Sequence, residues 1–361
     1  MATLLPRRMV LACPVLFGAC WYQQSTLAAS QPATDGSYAV IRIEPPSSSG
    51  TKKFRQTLTT RRPTIQHNSP VDAFEVDLRS GLFVLRQTDL FVKDAMPLCF
   101  TRTYRPWDTK IRALGMGTNH PYELSEYGSR YPYTYIDIVL EDFNTVHFDR
   151  VSKGTGFADA VYAHTATASE FYGARISWNG DGWTLQLRDG RVVLLPEAYN
   201  ARNLTQAAVV EMLNAQGQRI RFDREPGTRN LRRLTSPSGR TIAFEYTPSG
   251  QIDSATDDRG AAAQYYYDSE KRLYAVSRND GHAYRFAYDA DMITTISDEN
   301  RLVLLEIRYN GGRVAEQHAG DGSVYRYRYV QNPKNEVEQV FVTGPDGAVY
   351  AFDHGALVSQ K

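Results

Sequence analysis

Cysteine and tryptophan are scarce in this chain of 361 residues, which contains three Cys and four Trp. Three cysteines are too few for the disulfide framework that holds small secreted domains together. Neither sign of charge is in excess, because 41 Lys and Arg face 40 Asp and Glu and leave a net charge of +1. Binding to a phosphate backbone depends on a basic surface. Nucleic acid is therefore not expected as a partner.

Motifs that carry catalysis or hold cofactors are also missing. The sequence has no His-Glu-x-x-His, no Gly-x-Ser-x-Gly, no phosphate-binding loop and no paired-cysteine motif. Its seven histidines are scattered without the spacing of metal ligands. The carboxylate pairs Asp257-Asp258 and Asp289-Ala-Asp291 fall in turn positions, where Asp serves local backbone hydrogen bonds. We expect no enzyme, no catalytic residue, no metal and no cofactor.

The N-terminus reads as an export signal. Arg7 and Arg8 precede an apolar run over residues 9–21, which is too short to span a bilayer. Residues 1–29 are predicted to be a signal peptide. Leu16-Phe-Gly-Ala-Cys20 offers an alternative, a lipoprotein signal in which Cys20 carries a lipid anchor. Either route predicts a protein of the periplasm, the outer membrane or the extracellular space.

Two regions of different composition follow the signal. Residues 30–69 are rich in Ser, Thr, Pro and Gly without an apolar period, which predicts a flexible linker. Residues 70–200 alternate apolar and polar positions and contain Asn-Gly and Asp-Gly turns, which predicts a β block of short meandering strands. Residues 204–213 are apolar with loose spacing, and we expect them to be extended or a single turn.

The strongest pattern is a repeat over residues 201–361. Seven imperfect copies follow one another at about 21 residues, and such a fixed step indicates a repeat architecture. Each copy pairs an aromatic-x-aromatic strand with a second strand that carries two aliphatic residues. The predicted turn glycines are Gly239, Gly260, Gly281, Gly322 and Gly347. The predicted core aromatics are Phe244, Tyr246, Tyr265, Tyr267, Phe286, Tyr288, Tyr327 and Tyr329.

One repeat cannot bury its own apolar face, because a two-stranded unit is marginal in water. Stacked side by side, the units form a continuous sheet. Seven copies supply about 14 strands, which span roughly 67 Å at about 4.8 Å each. That width is too small to enclose a folded cargo domain. We therefore expect an all-β fold, with a meander block followed by an open, curved repeat sheet.

Two motifs resemble a known family. Asp77-Leu-Arg-Ser-Gly-Leu-Phe-Val-Leu-Arg-Gln-Thr-Asp89-Leu, with Pro97-Leu-Cys-Phe-Thr-Arg-Thr-Tyr104, resembles the N-terminal block of bacterial Rhs proteins. Gly260-Ala-Ala-Ala-Gln-Tyr-Tyr-Tyr-Asp-Ser-Glu-Lys-Arg-Leu273 resembles the YD repeat of Rhs and teneurin-type proteins. The resemblance implies a β-solenoid that, in long members, curls into a shell around a C-terminal toxin. The core segment and toxin of those members have no counterpart in this sequence.

The sequence leaves three functions open. The first is an exported structural or interaction protein related to toxin-encapsulating shells. The second is a carbohydrate-binding surface module, since tyrosine rings stack on sugars. The third is the N-terminal part of a split polymorphic toxin carrier. The last strand, near Tyr350-Ala-Phe352, is expected to leave an edge that attracts a protein partner, a second copy or residues 354–361.

Overall fold

The structure is a computed structural model that describes residues 72, 75–167 and 169–360. The predicted signal peptide, the Cys20 lipidation site and the predicted linker lie outside these residues. The described part contains 27 strands and two short 3₁₀ helices, and no α-helix. The all-β prediction is confirmed. Among the described residues, no helix has the length and apolar character needed to cross a membrane.

Residues 75–124 form a unit that we call the plug. Its main element is an antiparallel sheet of three strands in the order β1, β2, β5, beside a small β3–β4 hairpin. Cys99 in β2 is buried, and the other two cysteines lie outside the described residues. The elements are β1 (Leu85–Val92), β2 (Leu98–Tyr104), β3 (Ile111–Arg112), β4 (Gly115–Met116), β5 (Thr118–Asn119) and the first 3₁₀ helix, η1 (Pro121–Glu123).

The remaining strands, β6 to β27, form one antiparallel sheet of 22 strands in chain order. The first eight precede the regular repeats, and residues 204–213 form a 3₁₀ turn and a short strand, as expected. These elements are β6 (Ser125–Gly128), β7 (Tyr135–Val139), β8 (Thr145–Arg150), β9 (Val161–Ala163), β10 (Arg175–Trp178), β11 (Gly182–Gln186), β12 (Val192–Pro196), η2 (Leu204–Ala207) and β13 (Glu211–Leu213). The sheet continues past residue 200, because β12 pairs with β13.

The repeats supply the last 14 strands, two for each of the seven copies. They are β14 (Arg219–Arg224), β15 (Leu231–Thr235), β16 (Thr241–Tyr246), β17 (Ile252–Asp257), β18 (Ala262–Tyr267), β19 (Leu273–Arg278), β20 (Ala283–Asp289), β21 (Met292–Ser297), β22 (Val303–Asn310), β23 (Arg313–Ala319), β24 (Val324–Gln331), β25 (Val337–Thr343), β26 (Val349–Asp353) and β27 (Ala356–Gln360).

The sheet is open. Its outer strands are β6 and β27, and no ladder joins the two within the described residues. Near its start β6 contacts the segment before β13, because Ser125 bridges Ala208, and the Val209 N–H donates over 2.8 Å to the carbonyl of Leu124, the last plug residue. At the other end β27 covers β26, so residues 356–360 are the segment that lies beside Tyr350-Ala-Phe352.

The sheet curves around the plug. Plug residues contact β14, β16, β18, β20 and β24, the last through Gly81, which lies against the Tyr329 ring. Eleven strands laid flat from β14 to β24 would span about 48 Å at about 4.8 Å spacing. The plug has only about 50 residues, so it can reach all of these strands only if the sheet bends around it. The inner, concave face is therefore occupied by the chain itself.

Candidate functional site: the seam between plug and repeat sheet

Aromatic rings from the plug and from the repeats meet along the inner face, in a contact region that we call the seam. Phe100 of β2 packs against Phe244 with ring centroids 4.8 Å apart, and Tyr122 packs edge-on against Phe222 at 5.6 Å. Phe100 and Tyr122 are fully buried. Aromatic pairs of this geometry add to the free energy gained by burying their surface. The seam is therefore part of the main hydrophobic core.

A buried ion pair lies in the middle of the seam. The Arg102 guanidinium donates to the Asp89 carboxylate over 2.6 and 3.0 Å, and both side chains are almost completely buried. The Tyr265 hydroxyl of the repeats donates to the same carboxylate over 2.8 Å. Burial raises the pKa of Tyr265 well above its ordinary value, and the Asp89 charge raises it further. The phenol thus stays protonated and remains a donor across the seam.

Backbone groups of three repeats also bond to the plug. Ile252 N–H donates to the Ala113 carbonyl over 2.6 Å, and Val314 N–H donates to the Gly81 carbonyl over 2.9 Å. Ile293 N–H donates to the Tyr104 hydroxyl over 3.0 Å, and that hydroxyl donates to the Asp291 carbonyl over 2.5 Å. Each of the three donors lies at the start of the second strand of its repeat. The plug therefore bonds to one equivalent position in several repeats.

The carbonyls of these same residues accept hydrogen bonds from the next repeat. A tyrosine 15 or 16 residues further along donates its hydroxyl each time, and we call this bond the tyrosine clasp. The clasps are Tyr246 to Leu231 (3.0 Å), Tyr267 to Ile252 (2.7 Å), Tyr288 to Leu273 (2.7 Å), Tyr309 to Ile293 (2.6 Å) and Tyr329 to Val314 (2.8 Å). Burial raises the pKa of all five phenols, so each remains a donor.

The first and last repeats depart from this pattern. In the first, Arg224 occupies the tyrosine position, and its Nε donates to the Val209 carbonyl over 2.9 Å, again 15 residues back. Its Nη2 donates to the Tyr122 carbonyl of the plug over 2.6 Å. In the last repeat the position is Phe352, at the strand irregularity that also marks four of the five clasp tyrosines. A phenyl ring has no hydroxyl proton to donate.

The predicted core aromatics divide into two groups. Phe244, Tyr265, Phe286 and Tyr327 are buried against the plug side of the sheet. Tyr246, Tyr267, Tyr288 and Tyr329 are half-buried and pack against the same core. In three of these repeats the partner strand has one extra residue beside the second aromatic, so that Tyr246, Tyr267 and Tyr288 pair with Ile252, Leu273 and Ile293.

The predicted turn glycines all have positive φ. The values are 89° for Gly239, 88° for Gly260, 93° for Gly281, 87° for Gly322 and 81° for Gly347. One such turn is capped by the plug, because the Asp94 carboxylate accepts from the Ser238 N–H over 3.0 Å and from the Ser236 and Ser238 hydroxyls. Burial favours a higher pKa, but these donors lower the pKa of Asp94 to about 2.

The residues considered for chemistry are used locally. Asp257 accepts from the N–H groups of Arg259 and Ala261 over 2.9 and 2.8 Å, and Asp258 pairs with Arg240 over 2.6 Å. Within the described part of the chain, no three His, Cys, Asp or Glu side chains converge in a way that could hold a metal ion. The absence of enzymatic activity remains a prediction.

Sequence reasoning missed Asp89, Arg102 and Arg224. Asp89 and Arg102 lie within the motifs quoted for the Rhs resemblance, but alternation alone gave no reason to expect a charged pair inside the core. The signal for Arg224 is its place in the repeat, two residues after Phe222 and 15 residues after Val209. Aligning the copies on the second aromatic would have found it.

Residues 74–148, which include the plug and the first strands of the sheet, match the family described as "Domain of unknown function (DUF6531)". A curated relative, the double-stranded DNA deaminase toxin A of Burkholderia cenocepacia (strain H111), is 30% identical over 137 residues. That match covers 32% of this chain and spans only 8% of the relative's length.

Solved toxin complexes share a distant likeness. The Tc holotoxin pore of Photorhabdus luminescens is 11% identical, with a TM-score of 0.32 over 76% of this chain and 14% of that one. A TcdB2–TccC3 complex without the hypervariable C-terminal region is 12% identical, with a TM-score of 0.32 over 76% of this chain and 15% of that one. These scores are too low to support an argument about function. The family match and the curated relative support similarity to toxin-related, Rhs-like proteins.

Proposed function

We propose that this chain is an exported structural and interaction protein of the Rhs/YD-repeat type, in which the plug acts as the template for the repeat sheet. The observation that carries the proposal is the seam. Ile252, Ile293 and Val314 each bond to the plug through the N–H and to the next repeat through the carbonyl. Plug and repeats thus specify one another's position.

This role requires no catalytic group. The buried Asp89–Arg102 pair holds the Tyr265 hydroxyl, and its geometry serves to orient strands. The deaminase chemistry named for the curated relative is not part of the proposal, because the matched stretch is 8% of that protein.

Hydrogen exchange can test the template role. Tyr104→Phe removes the hydroxyl that accepts from Ile293 N–H and leaves the ring in place. We expect the Ile293 amide to exchange faster, whereas Ile252 and Val314, which donate to plug carbonyls, keep their protection. Unchanged exchange at Ile293 would contradict a plug that holds the sheet.

Because the plug occupies the inner face of the sheet, little room is left there for a second folded protein. Because the plug fills the region where β14 to β24 curve, we propose that this chain does not shield a folded toxin domain on its own. A protein partner or a second copy is expected to pair with the outer edge of β27, whose Leu357 and Val358 are exposed. Co-expression with a folded toxin domain, followed by protease treatment, tests the first statement. Light scattering of the purified chain tests self-association.

Export remains part of the proposal. Mass spectrometry of the native N-terminus should find residues 1–29 removed or Cys20 lipidated. An intact Met1 in a protein recovered from the cytoplasm would contradict it.

A further inference from the structure

The outer edge of β27 lacks the usual protection of an edge strand. Within the described residues β27 pairs with β26 on one side, and no strand lies along the other. An uncovered edge presents a row of unpaired N–H and C=O groups, which natural proteins often protect with charged residues or proline. The strand reads Ala-Leu-Val-Ser-Gln over residues 356–360 and contains neither. Its composition is that of a strand with a neighbour on both sides.

The earlier repeats show what covers this position elsewhere in the sheet. Leu357 occupies the register position of Ile293 and Val314, next to the strand irregularity. Ile293 and Val314 are buried, at 1% and 0% exposure, and in both cases the next repeat lies alongside and bonds to the carbonyl through its tyrosine. Leu357 is 57% exposed, and its neighbour Val358 is 59% exposed. β27 therefore has apolar side chains where an adjoining strand covers them in the other repeats.

The N-terminal part of the chain enters the structure close to this edge. Just before the plug, Asp72 accepts a hydrogen bond from the Tyr327 hydroxyl of β24 over 2.6 Å. The Arg79 guanidinium donates over 2.9 Å to the carbonyl of His354, in the turn that leads into β27. Strands β24 and β27 are three spacings apart, or about 14 Å. The residues that precede Asp72 therefore start a short distance from the β27 edge.

Within the predicted linker, one short stretch has the pattern of a strand. Residues 38–43 read Tyr-Ala-Val-Ile-Arg-Ile, with Gly-Ser before them and Pro-Pro after them. In an extended conformation Ala39, Ile41 and Ile43 fall on one face. Elsewhere in residues 30–71, aliphatic and aromatic side chains occur singly. This stretch is therefore the part of the N-terminal region that is suited to pair with a sheet.

We propose that residues 38–43 pair with the outer edge of β27 and add a strand to the sheet of the same chain. An extended segment at a sheet edge gains main-chain hydrogen bonds, and its alternate side chains provide specificity. The inference rests on the proposed function and deepens it, because a protein partner or a second copy reaches the β27 edge only by displacing this strand. The chain itself thus controls access to the edge.

The connection to the plug favours this segment over a second copy. Residues 44–71 number 28, and a flexible chain of that length has an r.m.s. end-to-end distance of about 30 Å. That distance is enough to cross from β24 to β27, and a linker that spans its sites gives an effective concentration in the millimolar range. Stable interfaces between separate chains bury about 1,200–2,000 Å². The edges of two five-residue strands offer far less surface.

Hydrogen exchange of the purified chain tests the proposal. In the wild type, amides of residues 38–43 and of β27 should both be protected. The double variant Val40→Asp/Ile41→Asp places two charges in the segment, and exchange in β27 should become about tenfold faster or more. Leu58→Asp/Thr59→Asp is the matched control, because it adds the same two charges to the connection outside the segment. It should exchange as the wild type does.

A synthetic peptide of residues 36–45 provides a rescue experiment. Added at millimolar concentration to the double variant, it should restore the protection of β27, whereas the peptide that carries both substitutions should not. The proposal is overturned if β27 exchanges equally fast in the wild type and the double variant, or if the peptide restores nothing. It is also overturned if the protection of β27 in the wild type rises over about a hundredfold increase in protein concentration, which would assign the edge to a second copy.

The Ile293 amide reports on the template role in the same samples. It donates to the Tyr104 hydroxyl in the seam and should keep its protection in every one of these variants. Failure at β27 with Ile293 still protected would overturn the added strand and leave the template role in place. An unprotected Ile293 amide in the wild type would contradict the template role itself.

Discussion

The Tyr265 hydroxyl donates to the Asp89 carboxylate across 2.8 Å of fully buried space, and the two residues are 176 positions apart in the chain. Asp89 is already held by Arg102, so the three groups form a closed polar set inside an aromatic core. Breaking one member leaves the others short of a partner without access to water.

We expect Tyr265→Phe to lower the free energy of unfolding by about 1.5–3 kcal/mol, the usual range for a hydrogen bond to a charged group. Tyr266→Phe is the matched control, because its hydroxyl lies 3.4 Å from Ser277 on the half-buried outer side. Its effect should stay within about 0.5 kcal/mol. Urea unfolding followed by circular dichroism measures both. Equal losses for the two variants would show that the Asp89 bond contributes nothing.

The phenyl ring of Phe352 offers an opportunity to add a clasp. Phe352→Tyr should place a hydroxyl near the Val337 carbonyl, 15 residues back, and raise the free energy of unfolding by about 0.5–1.5 kcal/mol. Tyr309→Phe, which removes the clasp to Ile293, should lower it by a similar amount. Thermal melts can compare the two. A destabilised Phe352→Tyr would indicate that the last repeat lacks the geometry of the others.

Gly311 and Gly312 allow two effects that can require a glycine, backbone strain and steric overlap, to be measured separately. Both have positive φ, 60° and 81°, which disfavours a side chain. A Cβ at Gly312 would also overlap the Trp107 ring of the plug, whereas nothing lies within 4 Å of one at Gly311. Gly311→Ala should cost about 1–2 kcal/mol from the backbone alone. Gly312→Ala should cost about 1–3 kcal/mol more. Equal melting temperatures for the two variants would mean that the Trp107 ring moves aside without a cost in stability.

The lowered pKa of Asp94 predicts how the free energy of unfolding changes at acid pH. Its pKa is lowered from 3.8 to about 2 in the folded chain, so it stabilises the fold above its ordinary pKa. That contribution is lost as the pH falls from about 4 through 2. The stability gap between wild type and Asp94→Asn should therefore be constant from pH 7 to 5 and close below pH 4. Urea midpoints at successive pH values provide the measurement, and a gap that persists at pH 2 would contradict the prediction.

The repeat sheet could be predicted from the sequence because its signals are local. The positions of Gly239 and Gly260 and the alternation around Phe244 and Tyr265 are sufficient to place strands and turns. The 14 strands expected from seven copies correspond to β14–β27. These features depend on φ preferences and on the two-residue period of a strand, both of which short windows report.

The seam could not be predicted in the same way. The alternation in residues 75–124 predicts another meander. It does not show whether these strands continue the repeat sheet or lie against its inner face. The Asp89–Tyr265 bond depends on contacts between distant parts of the chain. The Tyr267 clasp reaches the Ile252 carbonyl of the preceding repeat, and β19 has an extra residue between Leu273 and Ala275; a two-residue period reveals neither feature.

The direction of the tyrosine clasp implies an order of construction. Every clasp runs from a later repeat to a carbonyl that precedes it by 15 or 16 residues, and the first one, from Arg224, also bonds to Tyr122 of the plug. Because a chain is synthesised from its N-terminus, each acceptor carbonyl is made before its donor. We therefore expect the repeats to fold in order from the plug outward and local unfolding to begin at β27.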